Sequence, residues 1–188
     1  MSKPEIFHFP RRKFLASASC LLLGEALFPL SAVARPENRL GQEVPEKLSS
    51  EDLEWVEKST MAKDLKNYFG KGYSCAESLF MVSLRFLGKP EELVWAAAGF
   101  GGGLYHKDLC GFLTAGIMAI GVSAGTLKKE RKEAKEYCSR LVKQYWKWWA
   151  SRAPLRCAEI RTEGASRPVC VNLGRLAAAK VEELLSAG

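Results

Sequence analysis

Ser74-Cys75-Ala76-Glu77-Ser78-Leu79-Phe80-Met81-Val82-Ser83-Leu84-Arg85-Phe86-Leu87-Gly88 opens with a capping-box pattern and closes on a glycine. A serine oxygen can accept one of the orphan backbone N–H groups of a first helical turn, and a glutamate three residues later can reach back to the serine's own N–H. The stretch therefore predicts a helix that begins at about Cys75, runs on through Leu79, Phe80, Val82 and Phe86, and stops at Gly88. It also puts a cysteine in a first turn, where unpaired N–H groups and the macrodipole favour negative charge and so favour the thiolate.

Outward from this helix the same grammar recurs. Upstream, Ser50 can cap, Glu51 and Asp52 suit the positive end, and Leu53, Val56, Met61, Leu65 and Phe69 supply an apolar stripe that Gly70 to Gly72 ends. Downstream, Pro90 opens a short helix over 91–98, followed by Gly99-Phe100-Gly101-Gly102-Gly103. No strand precedes these glycines and no Lys-Ser/Thr follows, so they are not a phosphate loop. Either a tight helix–helix connector or backbone N–H groups facing an anion or cluster would need them. Asp108 is a candidate cap that puts Cys110 in the first turn of a Gly/Ala-rich apolar helix, Phe112 to Val122, ending at a break over 121–125.

The next helix, from about Leu127 to Ala150, has Leu127, Ala134, Cys138, Leu141, Tyr145 and Trp148 on one face, with Trp146 and Trp149 widening it through Val142. These tryptophans read as core. Pro154 and Pro168 each suit a first helical position, with Cys157 and Cys170 in the turns that follow. A final helix, Val171 to Leu185, repeats Leu173, Leu176, Val181 and Leu184. No segment alternates as a strand does, and the expected fold is all-α: a single compact bundle of about six helices.

The first 34 residues carry a different message. Pro10-Arg11-Arg12-Lys13-Phe14-Leu15 sets two arginines before an apolar stretch reaching about Val33, and Ala32-Val33-Ala34 is a small-residue cleavage pattern. The expectation is a twin-arginine signal peptide over 1–34, cleaved after Ala34, with the twin-arginine (Tat) translocase as its export partner and a periplasmic or otherwise exported destination. Glu25 and Pro29 interrupt the apolar stretch, and a mid-bilayer carboxylate costs about 2.5 to 3.5 kcal/mol on insertion scales, which disfavours the alternative of an uncleaved membrane anchor. The twin-arginine route carries folded cargo, often with a cofactor inserted. Residues 35–49 are polar and aperiodic and read as a flexible leader; 50–188 form the helical domain, enough for one hydrophobic core.

The chain has 28 basic and 21 acidic residues, a net charge of +7. The excess gathers in residues 128–152, which read as a solvated helix face, and export leaves no role for nucleic acid. A homo-oligomer is compatible with the composition.

Cysteine position sorts six residues into a set of four. Cys20 leaves with the signal, and Cys138 on an apolar stripe behaves as a small hydrophobe. Cys75, Cys110, Cys157 and Cys170 share the helix-start setting, and thiolates are what bind iron or zinc and what attack disulfides. No Cys-x-x-Cys and no Cys-x-x-Cys-His occurs, which excludes covalent c-type haem and a thioredoxin-type motif. His106, beside Lys107 and Asp108, reads as an exposed loop residue, and no carboxylate pair stands out as catalytic.

Gly72-Tyr73-Ser74-Cys75-Ala76-Glu77, Gly99 to Gly103, Cys110-Gly111 before an apolar helix, then Cys157 and Cys170 with an Ala-rich final helix together resemble the C-GCAxxG-C-C family of redox-active proteins. The resemblance spans about 60–185. Phe112 stands where the family pattern has Ala, and Gly116 comes one position late. That family is similar to the non-haem part of split-Soret cytochromes, which implies an all-cysteine 2Fe-2S cluster. Three uses of Cys75, Cys110, Cys157 and Cys170 stay open: a 2Fe-2S cluster transferring electrons to a redox partner protein, disulfides that staple the bundle or cycle with a partner, and a zinc-stabilised interaction module. Each is closer to electron transfer, redox activity or binding than to a classical enzyme.

Overall fold

The computed structural model describes residues 44, 46–162 and 167–187. The twin-arginine stretch, its cleavage pattern and most of the polar leader lie outside the described residues. Seven α-helices are found among those described: α1 Ser50–Lys58, α2 Thr60–Leu65, α3 Cys75–Phe86, α4 Gly111–Leu127, α5 Arg131–Ala150, α6 Cys157–Ile160 and α7 Arg167–Ser186. A 3-10 helix, Glu91–Phe100, and one irregular turn, Gly103–Lys107, link α3 to α4. Among the described residues two isolated bridges, Phe69 with Tyr73 and Leu109 with Arg156, are the extent of β pairing, so the fold is all-α. No described helix is long and apolar enough to cross a membrane.

Helix α4 is the centre. It packs against α3, α5 and α7, and Gly111, Phe112, Leu113, Ala115, Gly116, Ala119, Ile120, Ser123 and Ala124 are buried along it. A helix apolar on most of its circumference belongs inside a core, where small residues let neighbours approach. Gly116 is the clearest case. A Cβ there would lie 2.5 Å from Cε1 and 2.7 Å from Oη of Tyr145, whose fully buried hydroxyl donates to the Phe112 carbonyl at 3.1 Å.

Several elements begin or end elsewhere than the sequence predicts. The first helix is two, because Ser59 caps α2 by accepting from Ala62 N–H at 3.0 Å. The Glu182 carboxylate of α7 accepts from Ser59 Oγ and from the N–H groups of Thr60 and Met61, at 3.2 and 2.8 Å for the latter two. A carboxylate at a helix N-terminus is favoured by the dipole, and here it ties α2 to α7. Ser49, not Ser50, caps α1, and Leu53 is exposed. Helix α4 runs unbroken through Gly121 and Gly125. In α5 the buried stripe is Tyr137, Leu141, Tyr145 and Trp149, while Trp146 is exposed and Cys138 and Trp148 half-buried; Leu127, exposed, ends α4 and is not part of this helix. Val44 and Leu48 pack on the core, and Asn172 Nδ2 donates to the Glu46 carbonyl at 2.6 Å, so the end of the polar stretch is fastened to α7.

Replacing Gly116 by Ala forces the Tyr145 ring off its seat, and overpacking of this kind costs typically 1–3 kcal/mol. Gly116→Ala should lower the urea midpoint accordingly, and Tyr145→Phe by about 1 kcal/mol for the lost hydrogen bond. A Gly116→Ala midpoint equal to wild type would contradict the close α4–α5 packing.

Candidate functional site: a cavity lined by four cysteines

Three of the predicted cysteines sit at helix starts. Cys75 is the first residue of α3, behind a complete capping box in which Glu77 N–H donates to Ser74 Oγ at 3.3 Å and Ser74 N–H donates to Glu77 Oε2 at 2.8 Å. Cys110 is itself the N-cap of α4, and Cys157 is the first residue of the one-turn α6. Cys170 is the fourth residue of α7, inside its first turn. Two expectations are corrected here. Asp108 does not cap α4, because its carboxylate pairs with Arg156 at 3.4 Å. Pro154 lies ahead of α6, where its carbonyl accepts from Trp149 Nε1 at 3.0 Å.

A short antiparallel clasp brings the middle two together. Cys110 N–H donates to the Leu155 carbonyl at 2.9 Å and Cys157 N–H to the Asp108 carbonyl at 2.7 Å. Leu109 and Arg156 form the bridge between them. Cys75 reaches the same place by close packing of α3 on α4: a Cβ at Gly111 would collide with Cys75 Sγ and lie 3.0 Å from Ala76 N and the Phe100 carbonyl. At Gly103 a Cβ would lie 2.8 Å from Cys157 Cβ and 2.7 Å from Asp108 N.

Cys75, Cys110, Cys157 and Cys170 all line one cavity of about 220 Å³, together with Phe69, Ser74, Gly102, Phe112, Ile160, Arg161 and Leu173. The lining is mostly apolar. Phe112, the residue that departs from the family pattern, has its ring edge-on to Phe69 at 5.2 Å and over Gly174, where a Cβ would come within 2.6 Å of it. Cys138 is a half-buried member of the core and is not among the lining residues. His106 is exposed, in the turn beside the cavity. The four cysteines and Cys138 are free thiols. Among the described residues no three His, Cys, Asp or Glu side chains are drawn close enough to hold one metal ion, so the four thiols share a cavity without forming a closed ligand set.

Burial pushes the Cys110 thiol far above the ordinary range, and its neighbour Cys75 adds to the effect. Burial likewise raises Cys157, with Cys75 adding and Arg161 and Lys107 opposing. Cys170 is raised by burial against the pull of Arg161. Arg161 and Gly102 were not legible as site residues: a lone arginine after a short helix carries no motif, and the glycine run named no particular position.

The turn leading to the clasp is left-handed. Gly102, Gly103, Leu104 and Tyr105 follow one another with φ of 59°, 67°, 58° and 58°, and Lys107 has φ 57°. Each non-glycine residue in this region costs on the order of 1–2 kcal/mol, and such strain persists only where surrounding contacts over-determine it. The bond from Asp108 N–H to the Gly103 carbonyl, 2.9 Å, and the clasp provide those contacts.

A helical bundle that gathers thiols from helix starts around an apolar cavity defines a class of protein, one whose chemistry is carried by cysteine sulfur. The family model described as "Putative redox-active protein (C_GCAxxG_C_C)" matches residues 73–184, and the chain belongs to that family. Comparison with curated proteins and with solved structures gave no match.

In the metal-free, reduced protein the raised thiols make stability fall with alkaline pH. The folded state holds protons that the unfolded chain releases near the ordinary thiol value of about 8.5, so above that pH the unfolded state binds fewer protons and gains. Below it nothing is lost. Urea midpoints should decline steadily from about pH 8.5 upward, and Cys110→Ala should flatten the decline. A pH-independent midpoint between 8 and 10 would contradict the burial assigned to Cys110.

Proposed function

We propose that the mature protein is an exported electron carrier in which Cys75, Cys110, Cys157 and Cys170 hold an iron-sulfur cluster of the 2Fe-2S type. The single observation that carries this reading is the common cavity: four thiols, drawn from segments up to 95 residues apart in sequence, border one apolar space. A passive staple needs only a pair of neighbouring sulfurs. Four thiolates are the ligand set such a cluster takes. The donor chemistry fits, and the sulfurs need to draw inward to close on the group.

Such a cluster supplies one-electron transfer. The chain's own residues do the rest. At the start of α4 the backbone N–H groups of Phe112 and Leu113 face the Cys110 sulfur and offset part of the burial that raises its thiol. Phe69, Phe112, Ile160 and Leu173 keep water from the buried side, and a dry surrounding strengthens every charge interaction made there. Arg161 at the cavity edge offsets part of the negative charge that four thiolates bring. Export rests on the twin-arginine stretch with its cleavage pattern, Arg11-Arg12 to Ala34.

Expressed with its own leader, the protein is collected from the periplasmic fraction, reconstituted anaerobically with ferrous iron and sulfide, and examined by visible absorption and electron paramagnetic resonance after reduction. The expected result is a coloured protein with a cluster signal that each of the four Cys→Ser variants abolishes or shifts and Cys138→Ser leaves unchanged. Colourless protein with two disulfides would replace the cluster by thiol–disulfide cycling, and stoichiometric zinc would identify a zinc module. Absence from the periplasmic fraction removes the export part of the reading.

A further inference from the structure

Arg161 is the one charged residue among those lining the cysteine cavity, and it is exposed. Lys107, also exposed, sits in the left-handed turn beside Cys157. Among the described residues neither has a carboxylate partner, whereas two carboxylates nearby are engaged. Asp108 pairs with Arg156, and Glu77 is held in the capping box of α3. Both cations stand at the site: Arg161 lines the cavity, and Lys107 belongs to the turn whose Gly103 lies against Cys157. The mouth is thus positive and its interior apolar.

The cavity is small for a drug-sized ligand or a segment of a partner protein. Pockets that enclose drug-sized ligands run from about 300 to 1,000 Å³, against about 220 Å³ here, a space four sulfurs already border. A partner therefore meets the rim and does not enter. The rim is also where the backbone is most strained, with Leu104, Tyr105 and Lys107 left-handed and Tyr105 74% exposed. Strain of this kind concentrates at recognition sites.

We propose that Arg161 and Lys107 make the mouth of the four-cysteine cavity a docking point for a carboxylate-rich face of the redox partner protein. The inference rests on the site being a redox centre, and it holds whichever group the four thiols carry. Cations that have no carboxylate partner among the described residues, set at the edge of an apolar cavity, raise the local concentration of anions and their encounter rate by about 10- to 1,000-fold, an effect that salt removes.

The field at the mouth is measured on the metal-free, reduced full chain carrying Cys20→Ser and Cys138→Ala, with two small disulfides of similar shape and opposite charge, 3,3′-dithiodipropionate and cystamine. In each reaction a cysteine thiolate attacks the probe, the probe's S–S bond breaks, a mixed disulfide forms and the other half leaves as a thiolate. Each rate is divided by that of 2-mercaptoethanol with the same probe, and the quotient for the anion is divided by that for the cation. Any change in thiolate fraction cancels in this ratio. The expected ratio is at least about 10 at low salt, falling toward one in 0.5 M sodium chloride. Arg161→Gln with Lys107→Gln should bring it within about twofold of one, and Arg161→Lys with Lys107→Arg should retain it. A wild-type ratio near one, or a ratio the double glutamine variant leaves unchanged, overturns the proposal. Neither outcome bears on the cluster, because no metal is present.

Discussion

The two hydrogen bonds between 108–110 and 155–157 are the constraint on which the site depends. They join segments separated by α4, α5 and the connections that follow them, and they set the backbones of Cys110 and Cys157 side by side. Cysteines 47 residues apart cannot share a cavity through local structure, so some long-range contact must bring them together. A two-residue clasp is a weak device alone, at about 0.5–1.5 kcal/mol net per hydrogen bond. It persists because α4 and α5 are fixed independently by Tyr145 on Gly116 and by Trp149, whose indole holds the Pro154 carbonyl at the approach to the clasp.

Strain enters the fold beside this clasp. The left-handed turn lets the chain leave the 3-10 helix, pass Cys157 at Gly103 and deliver Asp108 to the clasp within a handful of residues. Gly101 passes close to Ser74, Gly102 takes φ 59° and Gly103 passes close to Cys157, which gives these three positions their reason. Leu104, Tyr105 and Lys107 take the same backbone region without glycine's freedom. Packing around the cysteines, above all the close approach of Gly111 to Cys75, positions sulfur beside the helix starts that local capping sets.

What the sequence made legible was local. The Ser74–Glu77 capping box forms with both of its hydrogen bonds, the small residues of α4 pack as a central helix, and the four cysteines sorted by helix-start position border one cavity. What it concealed was set by distant partners. The break at Ser59 depends on Glu182, 123 residues further on. Asp108 looked like a cap until Arg156 came within reach. The α5 stripe keeps Leu141 and Tyr145 and differs at its ends, where Trp149 is buried more deeply than Trp148 and Tyr137 takes the place of Cys138, with Lys128 and Arg140 lying 5.2 and 5.1 Å from the Tyr137 ring centroid, a use of cations that hydropathy does not score. Gly121 and Gly125 read as a break, yet a helix held on several sides by neighbours absorbs the roughly 1 kcal/mol that each glycine costs.

The account stands on the four sulfurs being neighbours in the folded chain, and a bifunctional thiol reagent measures that directly. Phenylarsine oxide bridges two thiols within reach of one arsenic atom, and peptide mapping identifies which pair it joins. In the native, reduced, metal-free protein the bridged peptides should pair members of the set Cys75, Cys110, Cys157 and Cys170, with Cys138 excluded, and denaturation before labelling should scramble the pattern. Bridges that join Cys138 to any of the four, or no bridging in the native state, would contradict the shared cavity.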